Sequence, residues 1–287
     1  MAKTMKTSHF LVFILIPLVP LLVWWFGPMI LAFLMSFTDG NYINTNYEIV
    51  AFYNYQTLLT NDQFYQALWN TLYYSIAYTI PTIVIGFIIG LLVYKQNWGS
   101  SWFKGFLFAP WVTPMVSSAI VWSYMFQPRG MINSILNIFG IQGPSWLSDS
   151  NFAMIAVVAV AVWGSSGWAM LFYNSAFEQI SSTYEEVADL EGANIFQKIR
   201  YIYIPGSIGT TIFLFITSLI TSIQVYDSIQ VMTQGGPAGS TRTLLYYYYQ
   251  SAFEQFNMGQ ASAVAMIMLG ITAVIILLFT RLQKHYS

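Results

Sequence analysis

Six stretches of 22 to 28 residues, free of Asp, Glu, Lys and Arg except for one aspartate, occupy more than half of this sequence. They run about 10–37, 68–94, 105–127, 151–177, 206–232 and 259–280. A bilayer core of about 30 Å takes roughly 20 apolar residues to cross as a helix, and a helix pairs its own backbone groups where no water can. The pattern predicts an all-α membrane protein with six transmembrane helices. Composition agrees: only 7% of residues are charged, against about 25% in soluble domains. The first stretch is too long for the apolar part of a signal peptide and lacks a small-x-small cleavage site, so it is expected to remain in the mature chain. Pro17, Pro20 and Pro28 predict a kinked or broken helix there, and Pro81, Pro110 and Pro114 mark further distortions.

The cations decide orientation, because Lys and Arg in short connections stay on the cytoplasmic side. Lys3, Lys6, Lys95, Lys104, Lys198, Arg200, Arg281 and Lys284 fall on one side of the six stretches, and only Arg129 and Arg242 on the other. Both termini are therefore expected in the cytoplasm. Segments 38–67, 128–150 and 233–258, rich in Tyr, Trp, Asn and Gly, form short outer caps. No linker, low-complexity tract or short repeat interrupts the chain, so residues 1–287 read as one membrane domain.

Much chemistry is excluded. A formal net charge of -1 offers no basic face for a run of phosphates, so the chain has no nucleic-acid partner. There is no cysteine, and the two histidines, His9 and His285, lie near opposite ends, which removes thiolate and clustered-imidazole metal sites. No Gly-Lys pair exists from which a phosphate-binding loop ending in Gly-Lys-Ser/Thr could be made. The aspartate within the stretches is Asp227. It reads as an interfacial or helix-packing carboxylate, with a coupling-ion site for a secondary carrier as the alternative.

One cytoplasmic connection departs from the pattern. Residues 178–205 hold five acidic and two basic side chains and are longer than a turn requires. Ser182 with Glu185, and Thr183 with Glu186, are overlapping capping-box candidates for a short helix through Leu190. Gly192 can stop it. Asn194 with Gln197 offers a second box, opening a helix that carries Ile195, Ile199 and Ile202 towards Pro205. The expectation is two short helices bent at a glycine, slim enough at Val187, Ala188 and Ala193 for another protein to approach the backbone.

At this point the residues resemble a known family. Glu186-Val187-Ala188, then Glu191-Gly192-Ala193, then Ile202-Tyr203-Ile204-Pro205 resemble the EAA loop of permease subunits in binding-protein-dependent ABC importers. The departures are Val187 where the pattern has Ala, Glu191 where it usually has Asp, and Ile199 where an aromatic is common. Further similarity, to the carbohydrate and glycerol-phosphate branch and its maltose-type first permease subunit, lies in Phe52-Tyr53-Asn54-Tyr55 and Ala67-Leu68-Trp69-Asn70-Thr71. It continues through Pro110, Pro114, Val121-Trp122 and Phe126. Gly235-Gly236-Pro237, Ser240-Thr241, Ala252-Phe253 and Gly259-Gln260-Ala261-Ser262-Ala263 complete it.

The resemblance implies the type I permease fold of ABC importers and a bacterial or archaeal plasma membrane. It implies a second homologous permease subunit, a dimer of cytoplasmic ATPase subunits that uses ATP and Mg, and an extracytoplasmic solute-binding protein. The chain itself is then non-catalytic and binds no cofactor. Coupling to the ATPase falls to Glu186, Ala188, Glu191, Gly192, Ala193, Ile202 and Pro205. The substrate path falls to Trp111, Ser165, Trp168, Ser218, Thr221 and Ser222, positions that match those lining the sugar site of the maltose-type subunit. The fifth span places Ser218, Thr221, Ser222 and Val225 at i, i+3, i+4 and i+7, on one helical face. Rings and hydroxyls suit a neutral sugar, whose CH faces stack and whose hydroxyls need partners once desolvated. The family often has Asn where this chain has Ser222 and Val225. A mono-, di- or oligosaccharide, or glycerol phosphate as the alternative, fits these residues.

Overall fold

The computed structural model describes residues 7–41, 47–95 and 99–286. Lys3 and Lys6, counted above among the inner cations, lie outside them. The described residues contain helices, turns and two isolated bridges, and no strand. Helix α1 (Thr7–Leu21) leads through a π turn (Leu22–Phe26) into α2 (Gly27–Met35). Of the kink or break expected from the three prolines, the helix shows a local distortion, the π turn, and residues 13–35 form one candidate apolar span. Between Pro20 and Pro28 the π turn has the Gly27 N–H donating to the Leu22 carbonyl five residues back, and Pro28 stands in the first turn of α2.

After α3 (Tyr53–Leu59), α4 (Asp62–Tyr94) runs 33 residues without interruption past Pro81. The third expected span, by contrast, is two helices, α5 (Ser100–Val112) and α6 (Met115–Met125), bent by 93°. Thr113 is extended at ψ 129°, as a residue before proline prefers, so Pro114 ends the first helix and opens the second. The short α7 (Met131–Ile138) precedes α8 (Ala153–Glu178), and α9 (Ser182–Leu190) follows. Then come α10 (Ile195–Lys198), a π turn (Ile199–Tyr203) and α11 (Ile204–Gly206). From that run, α12 (Ile208–Ile223) departs at 68°. It stops at Ile223, so the fifth expected span is not continuous to Met232; α13 (Asp227–Met232) is a separate piece. Helices α14 (Leu244–Tyr249) and α15 (Met258–Tyr286) complete the chain, with a π turn (Gln250–Glu254) following α14. Among the described residues four helices are long and apolar enough to cross a membrane, and up to six if each bent pair is one span.

Two compact units emerge. One comprises the described residues up to Asn61 with Tyr247–Gly270. Its organiser is Asn54, whose buried amide donates to the carbonyls of Ser36 (2.9 Å) and Thr38 (2.8 Å), while the Gly259 N–H donates to the Gly40 carbonyl (3.0 Å). A Cβ on Gly259 would lie 2.1 Å from the Thr38 carbonyl oxygen, so only glycine fits. Asn257 caps α15 by accepting the Gln260 N–H at 3.0 Å.

The other unit comprises Asp62–Tyr246 and the end of α15. Its centre is the pair α4 and α8. Gly86 and Gly90, one turn apart on α4, meet Ala169 and Tyr173 so closely that added Cβ atoms would stand 2.5 and 2.9 Å from theirs. Small residues at this spacing bring membrane helices together through van der Waals contact where lipid offers no hydrophobic drive. Helix α5 crosses α8 at Gly167, where a Cβ would clash with the Leu107 carbonyl. Buried Phe177 at the end of α8 gathers Phe87, Tyr94, Tyr173 and Tyr203 around it.

Candidate functional site

The 178–205 segment forms the bend its residues foretell, by partly different means. Helix α9 ends in a Schellman closure: the Ala193 N–H reaches the Ala188 carbonyl (2.8 Å) and the Gly192 N–H the Asp189 carbonyl (3.1 Å). Gly192 has φ +73°, a left-handed conformation that costs other residues roughly 1–2 kcal/mol. The second capping box is complete, with the Asn194 side chain accepting the Gln197 N–H (3.0 Å) and the Gln197 side chain accepting the Asn194 N–H (2.7 Å).

The first pair of boxes is absent. Ser181 is the N-cap, and no side chain caps α9. Glu185 turns instead to Lys95, whose ammonium lies 2.6 Å from Oε2, and accepts the Tyr94 hydroxyl at 3.2 Å on Oε1. Burial alone would raise the Glu185 pKa; the Lys95 and tyrosine hydrogen bonds and the Lys95 charge outweigh it and hold the carboxyl below its ordinary range. Lys104 pairs with Glu178 at 3.1 Å, and the nearly buried Lys198 with Asp189.

Of the residues assigned to coupling, Glu186, Glu191 and Gly192 are exposed, while Ala188 and Ala193 are half-buried at the bend. Ile202 and Pro205 line an open groove of about 640 Å³ with Tyr184, Ile180 and Tyr201. Around the bend Leu190, Phe196 and Tyr201 expose 88, 78 and 75% of their surface, an apolar display on an otherwise charged segment.

Within the same unit a cavity of about 180 Å³ brings together Trp111, Ser165, Thr221 and Ser222, four of the six residues assigned to the substrate path. Tyr74, Tyr78, Met115, Gln224, Val225 and Asp227 also line it. The cavity forms where the broken helices leave room: α5 ends one residue after Trp111, and α12 stops just past Ser222. The walls are pinned by hydroxyl pairs, Tyr78 donating to Ser165 Oγ (2.9 Å) and Ser222 to Ser75 Oγ (2.7 Å). Trp168 is not in the wall. It stacks on Trp111 with ring centroids 5.2 Å apart and packs against Phe172, so it positions the ring that is. Ser218 is buried and does not line the cavity.

Sequence reasoning missed Tyr74 and Tyr78. They stand one turn apart on α4, rings stacked at 5.8 Å, a spacing that could have flagged them. It also missed the Lys95–Glu185 pair, whose partners lie 90 residues apart with nothing local to link them.

With this geometry in place, the chain can be set among known proteins. Residues 82–287 match the family of binding-protein-dependent transport system inner membrane components, and the chain belongs to it. It is 28% identical over 277 residues to the multiple sugar-binding transport system permease protein MsmF of Streptococcus mutans, covering 96% of this chain and 95% of the relative. It is 28% identical over 274 residues to the arabinooligosaccharides transport system permease protein AraP of Bacillus subtilis, covering 93% and 85%. A chain of the bacterial alginate ABC transporter, solved in complex with alginate pentasaccharide-bound periplasmic protein, has the same fold: TM-score 0.85 over 98% of this chain and 96% of that one, at 19% identity. The protein is thus a helical ABC importer permease, a membrane component and not a catalyst.

Proposed function

We propose that this chain is the transmembrane permease subunit of an ATP-driven, binding-protein-dependent sugar importer and forms half of its translocation path. In this reading it crosses the plasma membrane of a bacterium or archaeon six times with both termini inside. A second permease subunit completes the path, and a dimer of cytoplasmic ATPase subunits, using ATP and Mg, docks on the 178–205 segment. A substrate-loaded binding protein engages the outer face. The observation that carries the reading is the cavity walled by Trp111, Ser165, Thr221 and Ser222, set between broken helices in a chain whose relatives MsmF and AraP are sugar-system permeases. Stacked rings and hydroxyls match the two faces of a sugar, apolar CH and polar OH. The exposed Leu190, Phe196 and Tyr201 around a glycine bend offer the ATPase an apolar anchor. ATP and the loaded binding protein each favour one of two states, which is how energy reaches a chain with no nucleotide site.

The test is purification of the tagged chain from its own host in mild detergent, with identification of the polypeptides that accompany it. A second multi-span permease and an ATPase bearing a phosphate-binding loop are expected, with ATP hydrolysis stimulated by sugar-loaded binding protein. A chain that purifies alone and moves solute down an ion gradient in liposomes would overturn the reading and return Asp227 to the role of coupling site.

A further inference from the structure

Asp227 is the one carboxylate among the residues lining the cavity, and none of them is Lys, Arg or His. The ion pairs among the described residues are Lys95–Glu185, Lys104–Glu178 and Lys198–Asp189, so Asp227 carries no counter-ion there. Its exposed side chain is solvated while water fills the cavity. A ligand that displaces this water must replace its hydrogen bonds, because a carboxylate left unpaired in a low-dielectric site is costly.

The wall is already rich in acceptors. The Tyr78 hydroxyl proton is given to Ser165, that of Ser222 is shared between Ser75 Oγ and the Leu219 carbonyl, and that of Thr221 goes to the Thr217 carbonyl. What these three groups turn to a ligand is lone pairs, and the wall's remaining donor-bearing side chains, Trp111, Gln224, Tyr74, Tyr226, Ser165 and Ser228, are all neutral. An anionic ligand group would find no cation among these residues and would meet the Asp227 charge. A polyol or an ammonium supplies donors. The cavity, at about 180 Å³, is smaller than the pockets of about 300–1,000 Å³ that hold drug-sized ligands, which suits one sugar ring.

We infer that Asp227 is a specificity-determining residue that accepts hydrogen bonds from a neutral or amino sugar ring in this cavity and excludes sugars carrying a carboxylate, sulfonate or phosphate. The inference rests on the reading of the cavity as the substrate site.

Glucose, glucosamine and glucuronate share a ring and differ in charge, and Trp111 is a reporter in the wall. The purified complex in lipid nanodiscs is titrated with each, without binding protein so that its own selectivity does not intervene. Indole fluorescence is followed, and a Trp111→Phe complex identifies the part of the signal that belongs to the cavity. Glucosamine and glucose should half-saturate the wild type at concentrations lower by about tenfold or more than glucuronate. Asp227→Asn should narrow that gap to within about threefold and weaken glucosamine relative to glucose, while Asp227→Glu, which keeps the charge, should restore the wild-type order. If Asp227→Asn leaves the order and spacing of the three sugars unchanged, the charge-selection inference is wrong and the sugar site stands. If none of the sugars produces a change that Trp111→Phe removes, the cavity is not the sugar site, and both readings fall together.

Discussion

Lys104–Glu178 and Lys95–Glu185, both partly exposed, fasten the 178–205 segment to the ends of neighbouring helices, and the nearly buried Lys198 stiffens it internally through the exposed Asp189. The cavity walls, drawn from α4, α5, α6, α8, α12 and α13, instead hold together through hydroxyl pairs and ring stacking, with Asp227 their one charge. Exposed ion pairs are worth about 0–1 kcal/mol and are remade with little loss when partners shift. A buried hydroxyl pair leaves an unsatisfied polar group when broken, at about 1–3 kcal/mol. Contacts of the first region can therefore be remade at little cost, whereas those of the second resist being broken.

The largest expected effect tests the first half of that contrast. Gly192→Val places a β-branched residue at φ +73°, so the chain should still reach the membrane while sugar-stimulated ATP hydrolysis by the assembled complex falls at least tenfold. Unchanged stimulation would mean that the bend does not transmit. Trp168→Ala probes the second half. Because Trp168 touches Trp111 and not the cavity, transport should fall several-fold with assembly unaltered, and an equal loss of both would make it a packing residue only.

The smallest effect concerns Glu185. Glu185→Gln should lower stimulation about twofold, as suits a partly exposed pair worth about 0.5 kcal/mol. Its pH dependence has a definite sign. A carboxyl held below its ordinary value binds protons less readily folded than unfolded, so its stabilising contribution is full above 4.5 and fades as pH falls through the lowered value. Limited proteolysis of the 178–205 segment should separate wild type from Glu185→Gln at pH 7 and pH 5, and the two should converge only in more acid solution.

What the sequence foretold follows how local each cause is. The stop at Gly192, the box at Asn194 and Gln197 and the break at Pro114 each depend on residues within one turn, and each is legible. The empty boxes at Ser182 and Thr183 were misread because Glu185 had a better partner at the end of a distant helix. Pro81 shows the converse, a strong local signal that the α4 helix runs past. For the cavity, the spacing of Thr221 and Ser222 and the likeness to sugar permeases named four wall residues. Tyr74 and Tyr78 carried a helical spacing that went unused, and their place in the wall follows from the packing of α4 beside α8. The family words around Asn54 and Gly259 also acquire a cause, since one ties carbonyls of the preceding turn and the other lets two backbones meet.

The corner at Ser207 has a mechanical consequence. The short run ending at Gly206 meets α12 at 68°, and buried Ser207 braces the joint by donating from Oγ to the Tyr203 carbonyl at 2.7 Å. Helix α12 has 16 residues and is therefore about 24 Å long, with Thr221 and Ser222 at its far end. It has the geometry of the long arm of a bell crank: a tilt of about 5° at the corner would sweep those hydroxyls through about 2 Å, the difference between a hydrogen bond held and one released.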